Sequence, residues 1–120
     1  MEEACMSEER DPLTARELAH KRRELSPATE AAFHAFSQKV FGEGALPTKI
    51  KQLIAVAVAH VTQCPYCIRG HTKAALRHGA SHEEIMEAIW VAAEMRAGGA
   101  YAHSLLAIEE MEKAASSSSA

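Results

Sequence analysis

Residues 49–71 read Lys49-Ile-Lys-Gln-Leu-Ile-Ala-Val-Ala-Val-Ala-His60-Val-Thr-Gln-Cys64-Pro-Tyr-Cys67-Ile-Arg-Gly-His71. The first part predicts a helix over 48–62. Its middle, from Leu53 to Val61, is apolar nearly all round, which marks a central buried helix or one buried by association. At Cys64 the pattern changes. Proline suits the first position of a helix, so Cys64 before Pro65 is the expected N-cap of a new helix. That helix ends near His78, with Gly79 as the glycine just past its end. Residues three and four apart share a helix face, so Cys64, Cys67 and His71 are expected along one side of the helix start.

Outward from this stretch, every further element reads as helical. Asp11-Pro12 is a turn, and a short helix follows over 14–24. Ser26-Pro27 opens a helix to about Phe41, with Phe33, Phe36 and Val40 as its apolar face. Gly42 and Gly44 end it. Ser81-His82-Glu83-Glu84 is a capping box for a fifth helix, with Ile85, Ala88, Ile89, Ala92 and Met95 inward. Gly98-Gly99 is expected to interrupt or tighten the chain before a sixth helix over 100–114. The fold class is therefore all-α, a single domain of about six helices. Residues 1–12 are expected to be a flexible segment, 13–114 the helical domain, and 115–120 a disordered serine-rich tail.

The chain has 120 residues, enough to bury a core without disulfide staples. Hydrophobic residues make up 48% and aromatic residues only 5%, so alanine and aliphatic side chains must fill that core. Thirteen basic residues against 16 acidic ones give a net charge of −3. No basic patch interleaved with aromatics is visible, so nucleic acid is not an expected partner. The longest apolar run falls short of the roughly 20 residues that a membrane span needs. The acidic N-terminus lacks the apolar core of a signal peptide, so a cytoplasmic location is expected. The three cysteines, Cys5, Cys64 and Cys67, do not read as a secreted disulfide framework. Cys5 reads as an incidental exposed thiol.

The chemistry of Cys64, Cys67 and His71 follows from their types. A helix N-terminus favours negative charge and lowers the pKa of a thiol there. Arg69 adds a nearby positive charge. A thiolate attacks a peroxide oxygen or a disulfide sulfur. With peroxide it becomes a sulfenic acid, which a second thiol resolves to a disulfide. His71, one turn from Cys67, can take the thiol proton or protonate the leaving oxygen. Three other readings stand beside this one. Two buried helix cysteines are ordinary core residues. His60, Cys64, Cys67 and His71 form H-x3-C-x2-C-x3-H, four acceptable zinc ligands, although structural zinc sites usually join two ligand pairs across a longer loop. A dithiol that senses oxidant without turnover uses the same residues. The string Cys-Pro-Tyr-Cys also occurs in glutaredoxins, but here it follows an alanine-rich helix without a βαβ context. His60 reads either as a hydrogen-bonded core histidine or as part of the site. The helix-terminus argument by itself favours Cys64 as the attacking thiol, and the adjacent histidine favours Cys67.

Residues 49–71, followed by Gly79-Ala80-Ser81-His82-Glu83-Glu84-Ile85, resemble the carboxymuconolactone decarboxylase superfamily, within it the alkylhydroperoxidase AhpD-like branch. The resemblance covers about residues 30–110. Its C-x2-C-x3-H motif is specific, because the true lactone decarboxylases lack the cysteine pair. It implies an all-helical fold, thiol-dependent peroxidase chemistry on a hydroperoxide or disulfide substrate, and assembly into trimers or hexamers. It places the peroxide-attacking thiol on Cys67, the resolving thiol on Cys64 and the relay histidine on His71. Tyr66 falls at a position near the site that some members fill with histidine. The family often has a relay glutamate twelve residues before the first cysteine, where this chain has Gln52. Glutamine can orient a group by hydrogen bonding but cannot carry the proton. His60 is then the best substitute, ahead of His103 and Glu94. A lactone decarboxylase-type acid–base enzyme is the remaining family alternative. No flavin or nicotinamide motif is present, so no cofactor is expected and electrons must come from an external thiol donor protein. Two apolar helix faces, one of them carrying Trp90, further predict a homo-oligomer, and the resemblance makes a hexamer the first choice.

Overall fold

The computed structural model describes residues 11–118, which form five helices and no strand, so the all-α class is observed. Cys5 and most of the expected flexible segment 1–12 lie outside the described residues. The chain divides into two compact units between Val40 and Phe41.

The first unit carries α1 (Ala15–Leu25) and nearly all of α2 (Pro27–Phe41). Thr14 and Glu17 cap α1 reciprocally: the Thr14 hydroxyl accepts the Glu17 N–H at 3.1 Å, and the Glu17 carboxylate accepts the Thr14 N–H at 3.3 Å. On α2 the expected apolar face forms but is left uncovered. Phe33 and Phe36 share a face and form a tilted ring pair 6.5 Å apart, yet they are 69% and 64% exposed. The helical spacing was correct, but the face it defines is not buried within this chain.

The second unit is built on α3 (Thr48–Thr62), α4 (Pro65–Arg77) and α5 (His82–Ser117). The Thr48 hydroxyl donates to the Phe41 carbonyl at 2.8 Å, and the Lys51 ammonium donates to the Gly42 carbonyl at 2.7 Å, so the turn before α3 is tied to its first residues. Gln63 takes a left-handed conformation (φ 57°, ψ 48°), and the Cys64 N–H returns to the Ala59 carbonyl at 3.1 Å. This closes the carbonyl end of α3 and turns the chain directly into α4. Gly79, at φ +89°, makes the next reversal, and the Ala80 N–H returns to the Ala75 carbonyl at 2.9 Å. Ser81 and Glu84 form the expected capping box of α5, and Lys49 reaches across from α3 to the Glu84 carboxylate at 2.8 Å. That ammonium, with the Ser81 N–H, holds the Glu84 carboxyl below the usual carboxylate range. The contact therefore contributes at pH above the ordinary glutamate value and is lost as pH falls through the lowered one.

The core is small. Val56, Ala75, Ala80 and Ile85 form it, with Leu53 and Ile89 packed against it. Alanines at 75 and 80 let the backbones approach closely, which brings α3 and α4 within reach of each other's side chains. The Gly79 turn is essential to this. A Cβ there meets no neighbouring atom, but the left-handed backbone disfavours any L side chain. We expect Gly79→Ala to destabilise the protein by about 1–2 kcal/mol, seen as a lower urea midpoint with unchanged slope.

Two further expectations are corrected. The fifth and sixth helices are one: α5 runs 36 residues straight through Gly98 and Gly99. A helical glycine costs only about 1 kcal/mol relative to alanine, too little to break a helix with strong turns on both sides. Residues 115–117, expected in a disordered tail, continue α5. Of the two readings of α3, a central buried helix does not hold within this chain: it buries Thr48, Gln52, Val56 and Ala59 but leaves Ile54, Val58 and Val61 exposed. On α5, Ile85 and Ala92 are buried as expected, Ala88 and Ile89 are half-buried, and Met95 is 64% exposed. No helix among the described residues is long and apolar enough to cross a membrane.

Candidate active site

Cys64 is the N-cap of α4 and Pro65 its first residue, as the sequence predicts. The two Sγ atoms lie 2.6 Å apart and share a hydrogen. Either thiol can hold it. The backbone decides between them, because the Cys67 N–H points at the Cys64 Sγ from 3.3 Å and the Tyr66 N–H contributes to the same sulfur. With the hydrogen on Cys67, three donors meet a thiolate on Cys64. With the hydrogen on Cys64, the same backbone donors face a neutral thiol. Cys64 is accordingly pushed below the usual thiol range, first by the Cys67 thiol and then by the backbone N–H groups. Cys67 is pushed up, first because its proton is engaged by Cys64 and then by burial and the neighbouring negative charge. Sulfurs this close can close to a disulfide by side-chain movement alone.

His71 sits one turn beyond Cys67 on the same helix. Its Nδ1 lies 2.8 Å from Oε1 of Gln52, a residue 19 positions earlier on α3. A carbonyl oxygen can only accept, so Nδ1 carries the hydrogen and Nε2 presents its lone pair. Gln52 is only 6% exposed and belongs to the stripe of α3 that faces its neighbours. The Phe41 ring stacks on the imidazole, with centroids 5.1 Å apart and planes 29° from parallel. One side chain fixes the tautomer and the other fixes the plane of the ring.

The remaining candidates fall elsewhere. His60, proposed to replace the relay glutamate, directs Nδ1 to the carbonyl of Val56 in its own helix at 2.7 Å and bonds neither His71 nor a thiol. Gln52 itself occupies the place beside His71. Tyr66 is 83% exposed and turned to solvent. His103 bonds the Gly99 carbonyl at 2.7 Å on an exposed stretch of α5. Among the described residues no three His, Cys, Asp or Glu side chains converge to hold a metal, and His60, Cys64, Cys67 and His71 are no exception. Sequence reasoning missed Phe41. Its only signal was an aromatic at the end of α2 before Gly42, which reads equally well as a helix terminus.

The chain has relatives. A protein of Paracoccus denitrificans described as "Uncharacterized protein 4 in cox locus" is 65% identical over 82 residues, covering 68% of this chain and 74% of that one. A crystal structure of a Methanobacterium thermoautotrophicum protein superposes with a TM-score of 0.65 at 36% identity, covering 69% of this chain and 93% of that one. A carboxymuconolactone decarboxylase family protein of Thermotoga maritima, whose description names an antioxidative response, superposes with a TM-score of 0.52 at 27% identity, over 69% of this chain and 95% of that one. The sequence model of the carboxymuconolactone decarboxylase family matches residues 27–110, a span that includes α3, α4, both thiols, His71 and Gln52. With that span matched, the chain belongs to the carboxymuconolactone decarboxylase family.

Proposed function

We propose that this protein is a thiol-dependent hydroperoxide reductase of the AhpD-like kind, cycling Cys64 and Cys67 between dithiol and disulfide. The observation that carries the reading is the pair of sulfurs in contact at the start of α4, with the free Nε2 of a clamped histidine one turn along the same helix. A raised Cys67 thiol needs a base, and we assign that role to His71, one turn along the same helix. The Cys67 thiolate attacks the distal peroxide oxygen, the O–O bond breaks, and the departing alkoxide takes a proton. Cys64 then attacks the sulfenic sulfur, water leaves, and the disulfide forms. An external dithiol restores the pair, so one hydroperoxide and one dithiol yield an alcohol, water and one disulfide. Cys67 is preferred as the peroxide-attacking thiol because His71 beside it can return a proton to the leaving oxygen, and because a thiolate of lower pKa is the weaker nucleophile.

The test is mass and thiol count after stoichiometric hydroperoxide. The cycle requires the loss of two hydrogens and of two free thiols in the peptide that spans Cys64 and Cys67. Thiols that survive excess peroxide would reject it.

Assembly into a homo-oligomer is part of the same proposal. An apolar groove of about 620 Å³ runs between α3 and α5, lined by Val58, Val61, Val91 and Met95 among others. Trp90 is 65% exposed, and Tyr101, Leu105, Leu106 and Met111 on the second half of α5 are between 60% and 83% exposed. Trp90 thus fills no gap within its own chain. Exposed apolar side chains gathered in this way support an interaction site there. We expect light scattering at low micromolar concentration to give a trimer or hexamer. A monomer mass would reject the assembly.

A further inference from the structure

We propose that the outer face of α4 is the docking surface for the electron donor, and that the donor is a protein presenting an acidic segment beside its own dithiol. The inference rests on the proposed dithiol cycle. Helix α4 contains Arg69, Lys73 and Arg77 and no carboxylate. At about 100° per residue, Tyr66, Arg69, Lys73 and Arg77 fall within an arc of roughly 80° and along roughly 16 Å of helix. All four are exposed, whereas Ala74, Ala75, Cys67 and His71 lie around the other side of the helix, buried or half-buried.

The chain as a whole is acidic, at −3, so this stripe runs against its overall charge. The nearby cations of α3 are already engaged: Lys49 pairs with Glu84, and Lys51 donates to the Gly42 carbonyl. Among the described residues, Arg69, Lys73 and Arg77 make no side-chain ion pair or hydrogen bond. Spaced four apart, they repel one another along the helix. The helix dipole accounts for Arg77, which lies in the last turn. It does not account for Arg69, just past the positive end. An acidic partner relieves this repulsion. Tyr66, between the two cysteines and 83% exposed, offers an aromatic contact at the end of the stripe where the thiols lie. A partner laid along Arg77, Lys73 and Arg69 therefore brings its own thiols to the N-terminus of α4.

In the exchange, a donor thiolate attacks one sulfur of the Cys64–Cys67 disulfide. The second donor thiol then releases the mixed disulfide. Two electrons and two protons pass to this protein, and the donor leaves as a disulfide.

The experiment follows reduction of the oxidised protein by short dithiol peptides whose thiols are flanked by glutamates or, in the control, by lysines. Dithiothreitol serves as the uncharged reference. We expect the glutamate peptide to react at least about tenfold faster than the lysine peptide at low ionic strength, with the difference vanishing near 1 M salt. The double variant Lys73→Gln, Arg77→Gln, which leaves Arg69 in place, should lose most of the preference and keep its rate with dithiothreitol. The double reversal to glutamate should prefer the lysine peptide. Equal rates for the two peptides, or a preference that survives neutralisation, would overturn the docking surface and leave the dithiol cycle standing. A disulfide that even dithiothreitol cannot reduce, or thiols inert to peroxide, would remove the cycle and the docking surface with it.

Discussion

Under the proposed cycle, Cys67→Ser should abolish peroxide turnover, and Cys64→Ser should stop the cycle after one oxidation. The two variants should fail differently because the proposed cycle gives the thiols different roles. In Cys64→Ser the peroxide-attacking thiol remains, so a sulfenic acid forms and persists, trappable by a dione reagent and visible as one added oxygen. In Cys67→Ser no such adduct should accumulate at a comparable rate. A sulfenic acid forming faster on Cys64 than on Cys67 would reverse the assignment of roles. Alkylation of the wild-type protein tests the charge distribution separately. Cys64 is held below the usual thiol range by the Cys67 thiol and backbone N–H groups, so it reacts at lower pH than a free thiol. Cys67 is pushed up mainly by its contact with Cys64, so it lags. Replacing Cys64 with serine removes the negative neighbour, and the alkylation profile of Cys67 should move to lower pH. If Cys67 is alkylated first in the wild-type protein, the backbone argument for a thiolate at the N-cap fails.

His71→Ala should slow the oxidation of Cys67 by about 10²–10⁴-fold, the usual range for losing a positioned acid or base. The geometry singles out Nε2, because Nδ1 is committed to Gln52 at 2.8 Å. The variant also removes the ring that stacks on Phe41, so thermal unfolding must be measured beside the rate. A loss of stability with Cys67 reactivity unchanged across pH 6–9 would make His71 a packing residue only. Gln52→Leu provides a graded comparison. It leaves the imidazole in place but frees its tautomer, so its rate should fall between wild type and His71→Ala. That outcome would make Gln52 a positioning residue that acts through His71.

The helices themselves were legible because their signals are local. Ser81 with Glu84, Pro27, Pro65 and Gly79 each act within one turn, and the starts of α2, α4 and α5 and the end of α4 fall where those residues place them. The N-cap position of Cys64 is of the same kind, since Pro65 alone directs it. Gly98-Gly99 misled because a glycine pair is a weak local signal that the flanking turns of α5 outweigh.

The site is different in origin. Sequence spacing by itself determined that Cys64, Cys67 and His71 share the start of one helix, because helical geometry fixes neighbours three and four apart. It could not determine what stands opposite them. Gln52 meets His71 across 19 residues, and Phe41 meets it across 30. Both contacts exist only because the left-handed Gln63 reverses the chain and small alanines let α3 and α4 pack closely. His60 looked the better relay residue in sequence, yet its Nδ1 faces the backbone of its own helix. Burial was likewise decided in three dimensions. A helical period shows which residues share a face, as with Phe33 and Phe36, but only packing determines whether anything covers that face.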